Sequence, residues 1–311
     1  MITTRIDGQA PDNSAEPSPV ALFAFKRPGH LARTLESLAA NPLAASTQLF
    51  VFCDGARHLD DHDAVAEVRS VVAGLKGFAG VTPVYRDTNF GLARSIIDGV
   101  SQVLATHGRV VVIEDDLLLS PHFLRFMNDG LNRYDRDGSV ASIHGYCYPV
   151  DEPLPDTFFM RGADCWGWAT WSRAWRHFEA DGATLLASLR ARQLTRAFDL
   201  DGSFPYTQML LDQIAGRNDS WAIRWHASCF LHDMLTLYPG RSLVHNLGND
   251  ASGTHRGTSA DFSCSPATEF VPVDAIALEE SAAARDAFVR FHRRRHTLVR
   301  RAVSALQRAI E

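Results

Sequence analysis

A chain of 311 residues, 46% apolar and 22% charged, carries enough apolar material for a sizeable core and lacks the composition of a disordered polymer. Its formal charge of −5 argues against nucleic acid as a general partner, although arginines crowd the last thirty residues.

In chain order, residues 1–18 mix Pro, Ser, Asp and Asn without periodicity and read as a disordered leader. Order is expected from Pro19. Val20-Ala21-Leu22-Phe23-Ala24-Phe25 is a short apolar run, as in a strand buried on both faces. Pro28-Gly29 then opens a helix with Leu31, Leu35 and Leu38 on one face, ending near Asn41-Pro42. The alternation repeats: strands at 49–53, 81–85 and 110–113, helices at about 63–75 and 92–106. Strands alternating with helices predict a parallel, helix-covered sheet over the first 120 residues. Beyond Asp116 the pattern loosens into helices at 121–134 and 183–198 among aromatic and glycine-rich loops, and 281–310 reads as one long helix. The fold class expected is α/β: a Rossmann-like mixed sheet flanked by helices. The expected divisions are a catalytic domain over 19–278 (a nucleotide-binding half at 19–120, an acceptor-side half at 121–278) and a basic C-terminal helix over 279–311.

The five cysteines, Cys53, Cys147, Cys165, Cys229 and Cys264, form no C-x-x-C pair. They suggest neither a zinc site nor a disulfide framework, and read as small buried thiols in a reducing compartment. No basic-then-apolar leader and no unbroken run of 18 apolar residues occurs, so a cytoplasmic location without a membrane span is expected.

Ligands of such sheets bind beyond the carboxyl ends of the strands. There Glu114-Asp115-Asp116 follows the fourth strand directly. Three successive carboxylates at the mouth of a buried strand repel one another unless something offsets them. Mg²⁺ or Mn²⁺ shared with a diphosphate would do so; the alternative is a solvated acidic turn capping the next helix. Asp54-Gly55 ends the second strand, where the carboxylate could accept the imide N–H of uracil or thymine, or simply make a turn. Arg94, in the run Asn89-Phe90-Gly91-Leu92-Ala93-Arg94, sits where a helix N-terminus favours anions and could reach a phosphate or ribose. Cys165-Trp166-Gly167-Trp168-Ala169-Thr170-Trp171 sets three indoles close together; some must be core, and Trp168 is expected to be exposed for stacking on a sugar. Asp212 stands among apolar helix neighbours, as a general base could, or as a surface residue would. The loop 247–256 ends in His255, a candidate metal or phosphate ligand, and Arg256, a counter-charge; His245 is an alternative to His255.

From about Pro19 to Arg256 the chain resembles GT-A-fold glycosyltransferases, in particular bacterial sugar transferases similar to N-acetylglucosaminyltransferase I. The resemblance rests on FAFKRPGHLARTLESL, FCDG, NFGLARS, VVVIEDDLLLSPHFLRF, CWGWATW, DSWAIRW and LTLYPGRSLVHNLGNDASGTH, in that order. It implies that Glu114-Asp115-Asp116 is the DxD-type motif. Asp116 would then be the metal ligand, with Glu114 and Asp115 on the donor sugar or ribose. It further implies that Asp54 recognises the base, that Arg27 lies near the nucleotide and that Asp212 is the general base. The implied activity is inverting, metal-dependent transfer from a nucleotide-diphosphate sugar, UDP- or dTDP-linked, to a glycan or lipid-linked acceptor in surface-glycan or exopolysaccharide assembly.

Outside the resemblance, Phe288, Phe291, Leu298, Val299, Val303 and Leu306 share a helical face ringed by arginines. Such a helix could rest on anionic lipid at the inner face of the membrane, or pack on its own domain or a second subunit. Two other classes fit parts of the pattern. A metal-dependent nucleotidyltransferase or phosphohydrolase is disfavoured because no glycine-rich, lysine-containing loop follows the first strand. A non-catalytic carbohydrate- or nucleotide-sugar-binding scaffold would keep the fold without turnover.

Overall fold

A computed structural model describes residues 16–249 and 260–295. The chain begins β1 (Val20–Ala24), α1 (Pro28–Ala39), β2 (Gln48–Cys53), α2 (His62–Ala73), β3 (Gly80–Tyr85), α3 (Leu92–His107) and β4 (Arg109–Glu114). These are the alternating elements expected from the apolar runs. It continues through β5 (Leu117–Leu119), α4 (Phe123–Arg133), β6 (Val140–His144), β7 (Thr157–Arg161) and β8 (Trp168–Trp171). Then come α5 (Ser172–Trp175), α6 (Gly182–Ala191), α7 (Thr195–Phe198), α8 (Tyr206–Ile214), α9 (Trp221–Leu231), β9 (Leu235–Pro239) and β10 (Val244–Asn246). A last helix, α10, covers 282–295 among the described residues.

Eight strands form one mixed sheet in the order β3-β2-β1-β4-β8-β6-β9-β7, and β5 pairs with β10 in a small ribbon. The sheet is the α/β mixed arrangement expected, but the second half of the chain supplies four of its strands where only helices and loops were foreseen. Strand β8 is antiparallel to both β4 and β6, and β9 runs parallel to β6. Six strands therefore end on one edge of the sheet, where β8 begins.

Alternation along β1 and β4 divides the core. Val20, Leu22, Val111 and Ile113 face α1, α2 and α4, while Ala21, Phe23, Val110 and Val112 face α3 and α9. The single helix foreseen at 183–198 is two, α6 and α7, because Gln193 between them takes a left-handed φ of 55°.

The described part of α10 packs on its own domain. Ala284 and Phe288 are buried with Phe158, Met160 and Tyr238. Its arginines meet acidic partners of the same chain: Arg285 with Asp201, Arg290 with Glu152 at 2.6 Å, Arg294 with Asp151 and Arg295 with Asp261 at 2.9 Å. Of the three expectations for this helix, the structure gives domain packing for 282–295 and leaves lipid contact without support; Leu298, Val299, Val303 and Leu306 lie outside the described residues. Among the described residues no helix is long and apolar enough to cross a membrane.

Candidate active site

The acidic turn sits at the carboxyl edge as the sequence suggests. Glu114 closes β4 beside Phe23 of β1, and Asp115 and Asp116 are buried. Phe25, just after β1, and Thr34 of α1 fasten the turn: the Phe25 N–H donates to Asp115 Oδ2 at 3.3 Å, and the Thr34 hydroxyl donates to the Asp115 carbonyl at 2.9 Å. Arg27 supplies a positive charge, pairing with Asp115 and with Asp116 Oδ2 at 3.0 Å. Burial and the neighbouring Asp116 and Asp115 push Glu114 well above the usual carboxylate range. Burial also raises Asp115, against the pull of Arg27.

From the other side the β10 end closes on Asp116. The Leu247 N–H donates to the Asp116 carbonyl at 2.7 Å. A Cβ on Gly248 would stand 2.3 Å from Asp116 Oδ2, so glycine is what lets this backbone approach the carboxylate. His255 and Arg256 lie outside the described residues. His245 is half-buried in β10 opposite Leu118, its pKa lowered by burial. Among the described residues, no group of three or more His, Cys, Asp or Glu side chains is placed to hold a metal ion.

Asp54 has structural work at this edge. It is buried and accepts the N–H groups of Gly55 at 3.0 Å, Phe90 at 2.7 Å and Gly91 at 2.9 Å, so it ties the β2 end to the loop entering α3. Those bonds occupy most of the accepting capacity expected for a nucleobase. Arg94 is exposed in the first turn of α3, its guanidinium 3.8 Å from the Phe90 ring centroid. It borders an open cleft of about 460 Å³ with Ile97, Asp98, Asp219 and Arg224, which does not include the acidic turn.

Two expectations are corrected. Trp168 is not exposed: β8 turns it onto the α3–α9 face, where it is fully buried, its ring centroid 5.2 Å from that of Trp221. Trp166, two residues earlier, is the partly exposed indole, 4.7 Å from the Tyr146 ring. Asp212 lies on the outer side of α8, and its partners are local: Gln208 Nε2 and Arg217 Nε, each at 2.9 Å. Arg217 and Gln208 lower its pKa, which weakens it as a base, and none of these contacts reaches the acidic turn.

A carboxylate that sequence reasoning passed over is better placed. After β7 the chain turns at Gly162, passes under α9 and returns to the carboxyl edge to start β8 beside Val112 and His144. Gly162 has a φ of +97°, and a Cβ there would meet the His226 ring at 2.5 Å. The Thr236 hydroxyl donates to the Gly162 carbonyl at 2.7 Å, and His226 Nδ1 lies 2.7 Å from the Ala163 carbonyl. This crossing carries Asp164. Its Oδ1 accepts the Cys165 N–H at 2.8 Å, while Oδ2 lies 3.4 Å from the Tyr238 hydroxyl and 3.7 Å from His144 Nε2. The Cys165 thiol is held well above its ordinary pKa by burial and by Asp164, with Glu114 and Asp116 acting in the same direction. The only sequence signal for Asp164 was its place just before the tryptophan cluster.

No family model matches the chain, and no curated protein matches it. Among solved structures it is similar to the mannosyltransferase PcManGT from Pyrobaculum calidifontis in complex with GDP-Man and Mn²⁺, at 18% identity and a TM-score of 0.31 over 46% of this chain and 38% of that one. It is similar also to S. aureus TarS, at 13% identity and a TM-score of 0.30 over 47% of this chain and 25% of that one. The chain thus spans less than half the length of either.

Proposed function

We propose that the chain is a GT-A-type, metal-dependent glycosyltransferase that moves a sugar from a nucleotide diphosphate, UDP- or dTDP-linked, to a hydroxyl acceptor with inversion. The observation that carries this reading is the Glu114-Asp115-Asp116 turn at the carboxyl edge of the sheet, its two aspartates buried, closed by Arg27 on one side and Gly248 on the other. Burying adjacent carboxylates costs several kcal/mol per ion without compensation, on the order given by ion-transfer arguments. One guanidinium offsets part of that cost and leaves the site acidic.

The residues fit Mg²⁺ or Mn²⁺. Their donors are hard carboxylate oxygens, and the bare Gly248 adds no side chain of its own to the Asp116 carboxylate, which Arg27 meets from the other side. Asp116, with Asp115, would hold the ion, and diphosphate oxygens and water would complete its shell. Bound there, the metal would supply positive charge to the departing diphosphate. Arg27 adds fixed charge beside the same oxygens, and Glu114 reaches toward donor ribose or sugar. His255 follows Gly248 by seven residues and is a further candidate ligand, with Arg256 as counter-charge.

A thermal-shift screen of UDP-, dTDP-, GDP- and CMP-sugars with and without Mn²⁺ tests the reading, because a ligand specific to the native state raises its melting temperature. A UDP- or dTDP-sugar is expected to raise it in the presence of metal, and Asp116→Ala to abolish both the shift and transfer while the fold survives. Absence of a shift with every donor, or near-normal turnover by Asp116→Ala, would reject it.

A further inference from the structure

We propose that Asp164 is the proton acceptor for the incoming hydroxyl, and that the tyrosines around it form a subsite for a carbohydrate acceptor. The inference rests on the transfer reaction proposed above and names the acceptor side of the same site.

The Asp164 side chain is 21% exposed, so it is sheltered but open to a ligand. Oδ1 is committed to the Cys165 N–H. Oδ2 is approached at 3.4 and 3.7 Å, both beyond a good hydrogen bond to oxygen or nitrogen, and so keeps its accepting capacity. Catalytic contacts of this kind are commonly long before the substrate arrives. His144 is a second, independent sign. It is wholly buried, neither ring nitrogen has a hydrogen-bond partner, and Nε2 faces Asp164. A buried imidazole left unsatisfied costs about 1–3 kcal/mol, and that cost is carried beside the one Asp164 oxygen that has no close partner.

The walls suit a sugar. Tyr238 packs on His144 at 4.8 Å, Tyr206 on His226 at 4.4 Å, and Tyr148 lies against Phe288 of α10 at 4.8 Å. The Tyr238 hydroxyl stands 3.4 Å from Asp164 Oδ2, and burial, with Asp164 acting in the same direction, raises the pKa of Tyr206 and Tyr238 and keeps both phenols protonated. The partly exposed Tyr148, Tyr206 and Trp166 offer ring faces and phenol hydroxyls, the kind of surface on which pyranose C–H faces and hydroxyls are bound.

The step balances. The acceptor O–H proton passes to Oδ2 of Asp164 as the oxygen bonds to the donor's anomeric carbon. The anomeric carbon–oxygen bond to the diphosphate breaks, and its electron pair leaves with the nucleoside diphosphate. Water takes the proton from Asp164 when the product departs.

The test uses the full chain with Mn²⁺, the UDP-, dTDP-, GDP- and CMP-sugar panel, and the methyl glycosides of glucose, galactose, mannose and N-acetylglucosamine as acceptor probes. Nucleoside diphosphate release and disaccharide formation are followed together, and saturation-transfer NMR reports glycoside binding. In the wild type a glycoside should speed release and form disaccharide. Asp164→Asn should lower transfer by about 10²-fold or more, the usual weight of a general base, with donor affinity within twofold of wild type. Asp212→Asn should transfer at near wild-type rate, and Tyr206→Phe should raise the KM for the glycoside with kcat little changed. Asp164→Ser replaces the Asn variant if the latter does not fold. Transfer by Asp164→Asn within threefold of wild type overturns the proposal. So does loss of transfer in Asp212→Asn instead, or a wild type that hydrolyses a donor yet gives no saturation transfer to any glycoside. A wild type that neither binds nor hydrolyses any donor sinks the transferase reading itself, and this proposal falls with it.

Discussion

Gly248→Ala probes the acidic turn without removing any of its charges. The added methyl would stand 2.3 Å from Asp116 Oδ2, 3.1 Å from Asn246 Oδ1 and 3.2 Å from Asp116 Cγ. Comfortable non-bonded separations begin near 3.5 Å, so about 1 Å of overlap with Oδ2 must be relieved. The backbone has little room to yield, because the Leu247 N–H is bonded to the Asp116 carbonyl at 2.7 Å. The carboxylate must therefore rotate, and rotation takes it away from Arg27, its partner at 3.0 Å. Loss of that partly exposed contact costs on the order of 1 kcal/mol. Replacing glycine returns roughly 0.4–1 kcal/mol through the unfolded chain, so stability should hardly change. Activity should change far more, since a 1 Å displacement of a positioned group can cost about 10²-fold. The assay is nucleoside diphosphate release with Mn²⁺, beside a urea titration of the same samples. Turnover within threefold of wild type at unchanged stability would refute the argument that Asp116 works from this one position.

Two predictions concern groups the site buries. Burial lowers the His144 pKa from 6.5 to about 4. Between those values the unfolded chain takes up a proton that the native state refuses, so the native state loses stability as pH falls through the window, by about 3 kcal/mol in all. His226, lowered by burial too, acts in the same sense. Urea midpoints at pH 7 and pH 4.5 should lie closer together in His144→Leu than in wild type, and an unchanged gap would show that the imidazole is not buried neutral. Asp54→Ala strips the acceptor from the Gly55, Phe90 and Gly91 N–H groups and should cost about 2–3 kcal/mol, as buried donors left unpaired do. A donor-affinity loss at unchanged stability would instead return Asp54 to the nucleobase.

The first half of the sheet was legible because its strands are buried on both faces and read as unbroken apolar runs, each followed by a helix with one apolar stripe. Glu114-Asp115-Asp116 was legible for a related reason: charge at the end of such a run must be offset by something. In the second half the signals fail for physical causes. Val140–His144 and Leu235–Pro239 carry Ser142, His144 and Thr236 at wholly buried positions, the two hydroxyls met by backbone carbonyls and the imidazole left without a partner, so neither strand reads as apolar. Trp168 was misjudged because period-2 alternation, which sends it to the α3–α9 core, operates only once β8 is known to be a strand. Asp212 looked like a base among apolar neighbours, but helical periodicity turned it outward to Arg217.

Asp164 could not have been ranked from the sequence, because its environment is made entirely by distant residues. His144 comes from β6, Tyr238 from β9, Tyr206 from α8, and Phe288 of α10 supports Tyr148. Each is unremarkable on its own segment, and the constellation exists because β7 is antiparallel to β9 and the chain must recross that face to begin β8. The small residues Gly162 and Ala163 are the sequence mark of that recrossing, since the chain passes there between β9 and His226 of α9. The same topology returns the chain that carries Asp164 to the carboxyl edge where Glu114 ends β4, so one carboxylate can face a leaving diphosphate while the other faces an incoming hydroxyl. A transferase needs those two tasks kept apart, and a mixed sheet with one reversed strand beside β4 keeps them apart by its connectivity.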